Sequence, residues 1–524
     1  MVTIAWSLPV GAISALVALA AVAHMFPSAR PRLLLLAARL ATIGAVIVAS
    51  LLAWFVWNGG PVSSPTIGGS GFGFSLRLDP VSVVMFGLVA FVGAVVVRFS
   101  CTYLDGEPRQ GIFVGRLCLT IACVSLLVLS GNLVQLLAAW IATSLALNSL
   151  LLFYSERPGA RRAAFKKAIF ARLGDACLIA AAILLGVEFG TGDISGILTR
   201  AGDLDAAAAP ISLVGAGSLL MVAAALKSAQ FPTHGWLTEV MEAPTPVSAI
   251  LHAGVINAGG FLLIRFADVL LLAPVGMALL ALLGGFTALF GSLAMLTQSQ
   301  VKTSLAWSTV AQMGFMMLQC GLALFPLAML HIVAHSLYKA HAFLSSGSAV
   351  EVVAAIRRPG PVAVPSVAAV GRAFVLALAV FVLVGAAFGF SGKSPQAIAL
   401  GMMLIFGVAY LIAQGLADAA PWALTWRTTL ASVAASVAYF AYQAAASWVM
   451  AGTLPPPPQP GAVEWSVIIL TVLGFGSIAF AQALLPLWGA HPASAALRVH
   501  LTNGFYANAL IDRWLGLRFG SRSF

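Results

Sequence analysis

Apolar residues run along this chain in blocks of roughly 20, the length needed to cross the hydrocarbon core of a bilayer as a helix. The blocks fall near residues 5–25, 33–56, 80–98, 112–130, 133–153, 166–187, 209–229, 247–267, 272–297, 302–322, 325–349, 372–390, 396–415, 424–448 and 463–487. The pattern predicts an all-α polytopic membrane protein of about fifteen spans. Basic residues punctuate it on alternate loops. The first loop carries Arg30 and Arg32, the third Arg98 and Arg109, and the fifth Arg157, Arg161, Arg162, Lys166 and Lys167. Later odd loops hold Lys302, then Arg357 and Arg358, and Arg498, Arg513, Arg518 and Arg522 follow the last span. Intervening loops are neutral or acidic, as at Glu188, Asp193, Asp203 and Asp205. Because cytoplasmic loops collect Lys and Arg, the odd loops and the tail are expected in the cytoplasm and the N-terminus outside.

Composition sharpens this picture. Of 524 residues 61% are hydrophobic and 8% charged, with a mean hydropathy of +1.02, too little charge to cover a soluble protein of that size. The net charge of +11 sits in the loops, so it reads as orientation signal and not as a nucleic-acid surface. Fifty glycines suit closely packed membrane helices. The cysteines Cys101, Cys118, Cys123, Cys177 and Cys320 form no CxxC pair, and no metal site is expected. The N-terminal stretch lacks a basic leader region and reads as the first span. Pro455–Pro458 reads as a stiff spacer in an outside loop, and the segment LTNGFYANALIDRWLGLRFG as an amphipathic tail on the cytoplasmic interface or on a partner.

Ionisable groups inside spans are costly and are functional candidates for that reason. Two clusters stand out. In the first, Lys227 ends an apolar run and Pro232 follows; proline has no N–H and clashes with the preceding turn, so the helix is expected to break there and open a wet pocket around the lysine. A buried amine gives up its proton more readily and a neighbouring acid reverses this, the switch that a proton relay needs. Pro244 and Pro246 start the next span, which carries His252. The plain alternative is that Lys227 reaches to the cytoplasmic surface. In the second cluster His331, His335 and Lys339 recur every fourth residue, a stripe about 12 Å long on one helix face at 1.5 Å per residue. Imidazoles titrate near neutrality and pass protons through water; the alternative is a set of hydrogen bonds holding helices together. His341 lies off the stripe. Asp175 has Arg172 one turn before it, which a local ion pair explains equally well, and Asp79 before Pro80 reads as a helix N-cap.

These segments resemble the antiporter-like proton-translocating subunits of respiratory complex I and of Mrp-type antiporters, most closely the large L-type subunit. The resemblance rests on Lys227-Ser228-Ala229-Gln230, Pro232, Trp236-Leu237, Met241, Pro244 to Ala249, His252, Lys302 with WSTVAQMGFM, and His331, His335 and Lys339 before SSGS. It implies two inverted five-helix repeats, near spans 4–8 and 9–13, each with a broken helix. Lys227 would be the first switch lysine, His252 the link onward, and Lys302, His331, His335 and Lys339 the continuation towards Lys393, the second broken-helix lysine. The corresponding division is 1–100 for the N-terminal helices, 101–415 for the antiporter-like core, 416–487 for the C-terminal helices and 488–524 for the cytoplasmic tail.

Two departures refine the resemblance. The family places a glutamate after a tryptophan in the fifth span as partner of the switch lysine, and here Ile141 follows Trp140. Asp175, Glu239 or Glu242 is then expected to take its place, or the chain conducts differently. The chain also has no room after its fifteenth span for the lateral helix of the respiratory subunit. Short length, the missing acid and the NGFYANALIDRW tail resemble the membrane subunit of the DAB-type inorganic-carbon accumulation complex. That resemblance implies a cation-conducting subunit, for H+ or Na+, in the bacterial inner membrane beside a large partner like a zinc β-carbonic anhydrase. The competing readings are a proton-pumping subunit of a respiratory dehydrogenase and a non-conducting scaffold. No nucleotide-binding motif, nucleophile constellation or cofactor site appears, so no catalysis by this chain alone is expected.

Overall fold

The structure is a computed structural model and describes residues 2–26, 31–348, 366–415 and 422–516. Arg30, Arg357, Arg358, Arg518 and Arg522 lie outside the described residues. A helix occupies each apolar block that the sequence pattern picks out, from Val2–Met25 and Arg32–Gly59 through to Ala462–Ala483. Among the described helices ten are long and apolar enough on their own to cross a membrane. Val301–Gly321 and Phe325–Leu344 have 21 and 20 residues, and the second carries the polar stripe. Two short antiparallel hairpins lie between the second and third long helices, pairing Val62–Ser63 with Arg77–Leu78 and Ile67–Gly69 with Phe72–Phe74.

Helix ends follow local chemistry. Asp79 is the N-cap of Pro80–Tyr103: its Oδ1 accepts the Ser82 N–H at 2.8 Å, a capping box with proline in the first turn, as the sequence predicts. Lys166 and Lys167 depart from expectation. The helix starts at Pro158 and runs to Phe189, so both lysines lie inside it and are buried, not in a loop.

The core spans Pro80–Tyr103 through Phe325–Leu344, while Val2–Met25 and Arg32–Gly59 leave large apolar side chains such as Leu33, Trp54 and Trp57 on the outer face. Pro274–Leu296 and Val301–Gly321 approach most closely, through glycine. A Cβ on Gly314 would stand 2.5 Å from the Ala288 nitrogen, and one on Gly284 2.5 Å from the Leu318 nitrogen. Only a missing side chain lets the two backbones meet there. Gly314→Ala should therefore push the pair apart and cost about 1–3 kcal/mol, read as a lower melting temperature in detergent. Gly371→Ala, where nothing lies within 4 Å of the added atom, should leave melting unchanged or slightly raised.

Two interruptions position the site. The helix Ile211–Lys227 ends at its lysine and helical geometry resumes only at Gly235, with Pro232 inside the gap. The next span divides into Thr245–Ala253 and Ala258–Arg265 around Gly254 and a short 3-10 turn, just beyond His252. The connection between the full-length helices Val367–Ala387 and Pro395–Gly415 holds Lys393.

Candidate functional site

Lys227 is buried and does not reach a surface. Its Nζ donates to the Ser144 hydroxyl at 2.5 Å and stands 4.3 Å from the centre of the Trp140 ring. Both partners come from Leu133–Leu151. Ile141, where the resemblance leads one to look for a glutamate, offers no charge, so an aromatic face and a hydroxyl take up the amine. Of the three candidate acids, Asp175 is buried, bonds Arg172 at 2.8 Å and acts electrostatically on Lys227. Glu239 instead accepts from Lys166 at 2.8 Å, and the Glu242 carboxylate accepts the Ala160 N–H at 3.2 Å.

Beside Lys227 a small apolar-walled cavity of about 20 Å³ extends to Leu251, Val255 and Ile256 in the span that carries His252. His252 is fully buried against the Phe343 ring. Its Nδ1 meets the Thr309 hydroxyl at 2.9 Å, while Nε2 has no protein partner. Thr309 donates to the Leu305 carbonyl at 3.0 Å, and the same carbonyl accepts from Lys339 Nζ at 2.9 Å. One carbonyl of Val301–Gly321 thus joins His252 to the buried Lys339. Lys302 stands one turn before Leu305, half-buried at the start of that helix.

His335 and His331 extend the series along Phe325–Leu344, their rings 5.9 Å apart. Both Nε2 atoms lack a protein partner, and both rings line a cavity of about 780 Å³ together with Gln312, Gln319, Tyr439 and Tyr442. Apolar side chains make up most of its wall, and the two imidazoles and the glutamine amides are among its polar points. His341, off the stripe, is exposed. Lys393 lies beyond, half-buried, donating to Gln443 Oε1 at 3.1 Å with the Phe440 ring 5.3 Å away. The arrangement sets buried amines and an imidazole on hydroxyl and carbonyl partners, and no group of three or more metal-ligating side chains occurs among the described residues.

Three groups of residues emerge here that sequence reasoning did not single out. Lys167 Nζ donates to the Ser144 carbonyl at 2.5 Å. Lys166 is fully buried among Glu239, Asn508 at 2.9 Å and Asp512, the last two from the tail helix Ala507–Trp514. That tail folds back onto the turn just past the helix break, with Gly504 beside Trp307 and Phe505 against Phe290. Arg265, at the end of its span, grips Asp79 through Nη1 at 2.5 Å and Nη2 at 3.2 Å, and Arg77 Nε adds 2.7 Å.

Comparison with known proteins gives the arrangement a lineage. The profile of the NADH:quinone oxidoreductase/Mrp antiporter transmembrane region matches residues 130–359, and that of the complex I chain 5 N-terminus matches residues 65–114. The "Probable inorganic carbon transporter subunit DabB2" of Halothiobacillus neapolitanus is 40% identical over 452 residues, 84% of this chain and 79% of that one. The chain belongs to this family of antiporter-like membrane subunits. Another member, NADH-quinone oxidoreductase subunit L of Mycobacterium tuberculosis, is 35% identical over 286 residues, 54% of this chain and 44% of that one. Among solved structures, the Mrp complex from Dietzia sp. DQ12-45-1b matches 98% of this chain and 60% of its own with a TM-score of 0.61 at 24% identity. Respiratory complex I from Thermus thermophilus matches 94% of this chain and 99% of its own at 0.53 and 20%. At these identities the two structures speak for the fold. The antiporter family region holds Lys227, His252, Lys302 and the His331–Lys339 stripe, and ends before Lys393.

Proposed function

We propose that this chain is a proton-translocating membrane subunit that energises inorganic carbon uptake by a partner resembling a zinc β-carbonic anhydrase. The chain resides in the bacterial inner membrane with its N-terminus outside and its tail in the cytoplasm. The observation that carries the reading is the series of buried titratable groups bridged by hydroxyls and one carbonyl: Lys227 on Ser144, His252 on Thr309, and Lys339 on the Leu305 carbonyl that Thr309 shares. Such groups are costly in a bilayer and mark ion pathways. The likeness to inorganic carbon transporter subunits supports the cargo, and the absence of a carboxylate at Ile141 sets the chain apart from the respiratory pattern. Division of labour follows from the chemistry: a chain with hydrogen-bonded amines and imidazoles moves protons, while hydration of CO2 falls to the partner.

The test is growth in air of a bacterium lacking carbonic anhydrase, supplied with this chain and the partner encoded beside it. Growth should require both proteins and stop with a protonophore. Uptake that continues after H+ and Na+ gradients are both collapsed would refute the energising role.

A further inference from the structure

Lys167 is a buried ionisable group that the path above leaves unused. It lies nine residues into Pro158–Phe189, 5% exposed, and its amine is spent on the carbonyl of Ser144. The hydroxyl of that same residue takes Lys227. One serine therefore holds two lysine amines, one on its backbone and one on its side chain. Both lysines also border the small cavity, whose 20 Å³ is large enough for one water once an amine turns into it.

We infer that Lys167 is a second proton station paired with Lys227 across Ser144, so that the two amines hold one proton between them and exchange it through the water-sized cavity. The inference rests on the proton-translocating reading above and deepens it.

Charge counting around the pair supports this. From its own helix Lys167 faces Arg172 and Asp175, and from Ile211–Lys227 it faces Lys227. Leu133–Leu151 brings Ser144 and Leu147, the turn at Gly235–Thr238 brings Trp236, and Thr245–Ala253 brings Leu251, none of them charged. Glu239, the acid nearest in sequence to that turn, is taken by Lys166. Among the described residues a single carboxylate, Asp175, thus serves three cationic groups, and it already bonds Arg172. Asp175 stands eight residues after Lys167, on the same helix face. Two ammonium groups tethered to one residue, in a site drier than water and with a shared anion, disfavour each other's charge. The exchange balances simply. An N–H bond breaks at one ammonium as its proton passes to the cavity water, and that water releases one of its own protons to the lone pair of the other amine. Net charge stays constant.

A lysine that merely ties two helices together would also donate to a carbonyl, and two substitutions separate the roles. Arginine keeps the charge and the donor but cannot release a proton. Glutamine keeps a neutral donor. The assay is proton flux in vesicles holding the chain with its co-purifying partner, driven by a potassium diffusion potential and read by an internal pH dye. Lys167→Arg should lower flux about tenfold or more. Lys167→Gln should change the pH profile of flux from the two apparent steps of a coupled pair to the single step of one amine. Lys227→Ala is run alongside. If it retains full flux, the translocation reading itself fails. If it abolishes flux while Lys167→Arg transports normally, or while Lys167→Gln leaves the pH profile unmoved, only the paired-station inference falls. Should the arginine variant not assemble, the glutamine profile decides alone.

Discussion

Lys339→Ala should abolish cation flux while leaving the folded protein as stable as before or more so. The lysine is fully buried and its amine has one acceptor, the Leu305 carbonyl. Holding an ammonium at such depth costs about 2.5–3.5 kcal/mol on insertion scales. Removing the side chain relieves that cost and leaves a cavity, two effects that oppose each other. Transport has no such compensation. Without the amine, the path loses the lysine that the described residues set beside both His252 and His335, and positioned proton donors of this kind contribute about 10²-fold or more. Lys227→Ala should behave alike, since Trp140 and Ser144 hold the amine but cannot stand in for it. Flux in vesicles together with melting in detergent checks the pair of outcomes. A variant that melts earlier yet transports normally would make these lysines struts.

Asp79→Asn should have the opposite signature, a large loss of stability. Asparagine can still cap Pro80–Tyr103, but it leaves Arg265 buried without a counter-charge. Removing one member of a buried ion pair typically costs about 3–5 kcal/mol. Arg77 suffers less, because its side chain is 14% exposed and can turn towards water. The loss is expected as a fall in the yield of monodisperse protein and in the temperature at which helicity is lost. Combining Asp79→Asn with Arg265→Leu should recover much of it, the non-additivity that marks direct contact. If the single variants are harmless, the clamp between the third span and the span carrying His252 is dispensable.

Much of this architecture can be read from the chain, and the reasons are local. Runs of about twenty apolar residues report their own length. The His331, His335 and Lys339 stripe follows from helical periodicity, and Pro232 marks the helix break after Lys227 because proline cannot donate. The relations that stay hidden are long-range. Arg265 and Asp79 are 186 residues apart, and nothing near either names the other. Glu239 invites pairing with Lys227 because twelve residues separate them, yet it turns to Lys166, from which 73 separate it. Lys166 and Lys167 carry the most misleading local signal. Two lysines at the edge of an apolar run resemble an orientation signal, and only the start of the helix at Pro158 shows that they lie within the bundle. The interruption at Gly254 had one available sign, a glycine two residues past His252 in an otherwise apolar run.

The tail helix carries a consequence for how the molecule is made. Lys166 is synthesised 342 residues before Asn508, which it eventually meets along with Asp512. Until those late residues leave the ribosome, the lysine has Glu239 as its one acidic neighbour, and the inner end of the first interrupted helix stays uncovered. Ribosomes add about 5–20 residues per second, so that interval lasts tens of seconds. A nascent chain stalled before residue 508 should leave this end open to water-soluble reagents from the side of the membrane that the tail occupies, and completing the chain should close it.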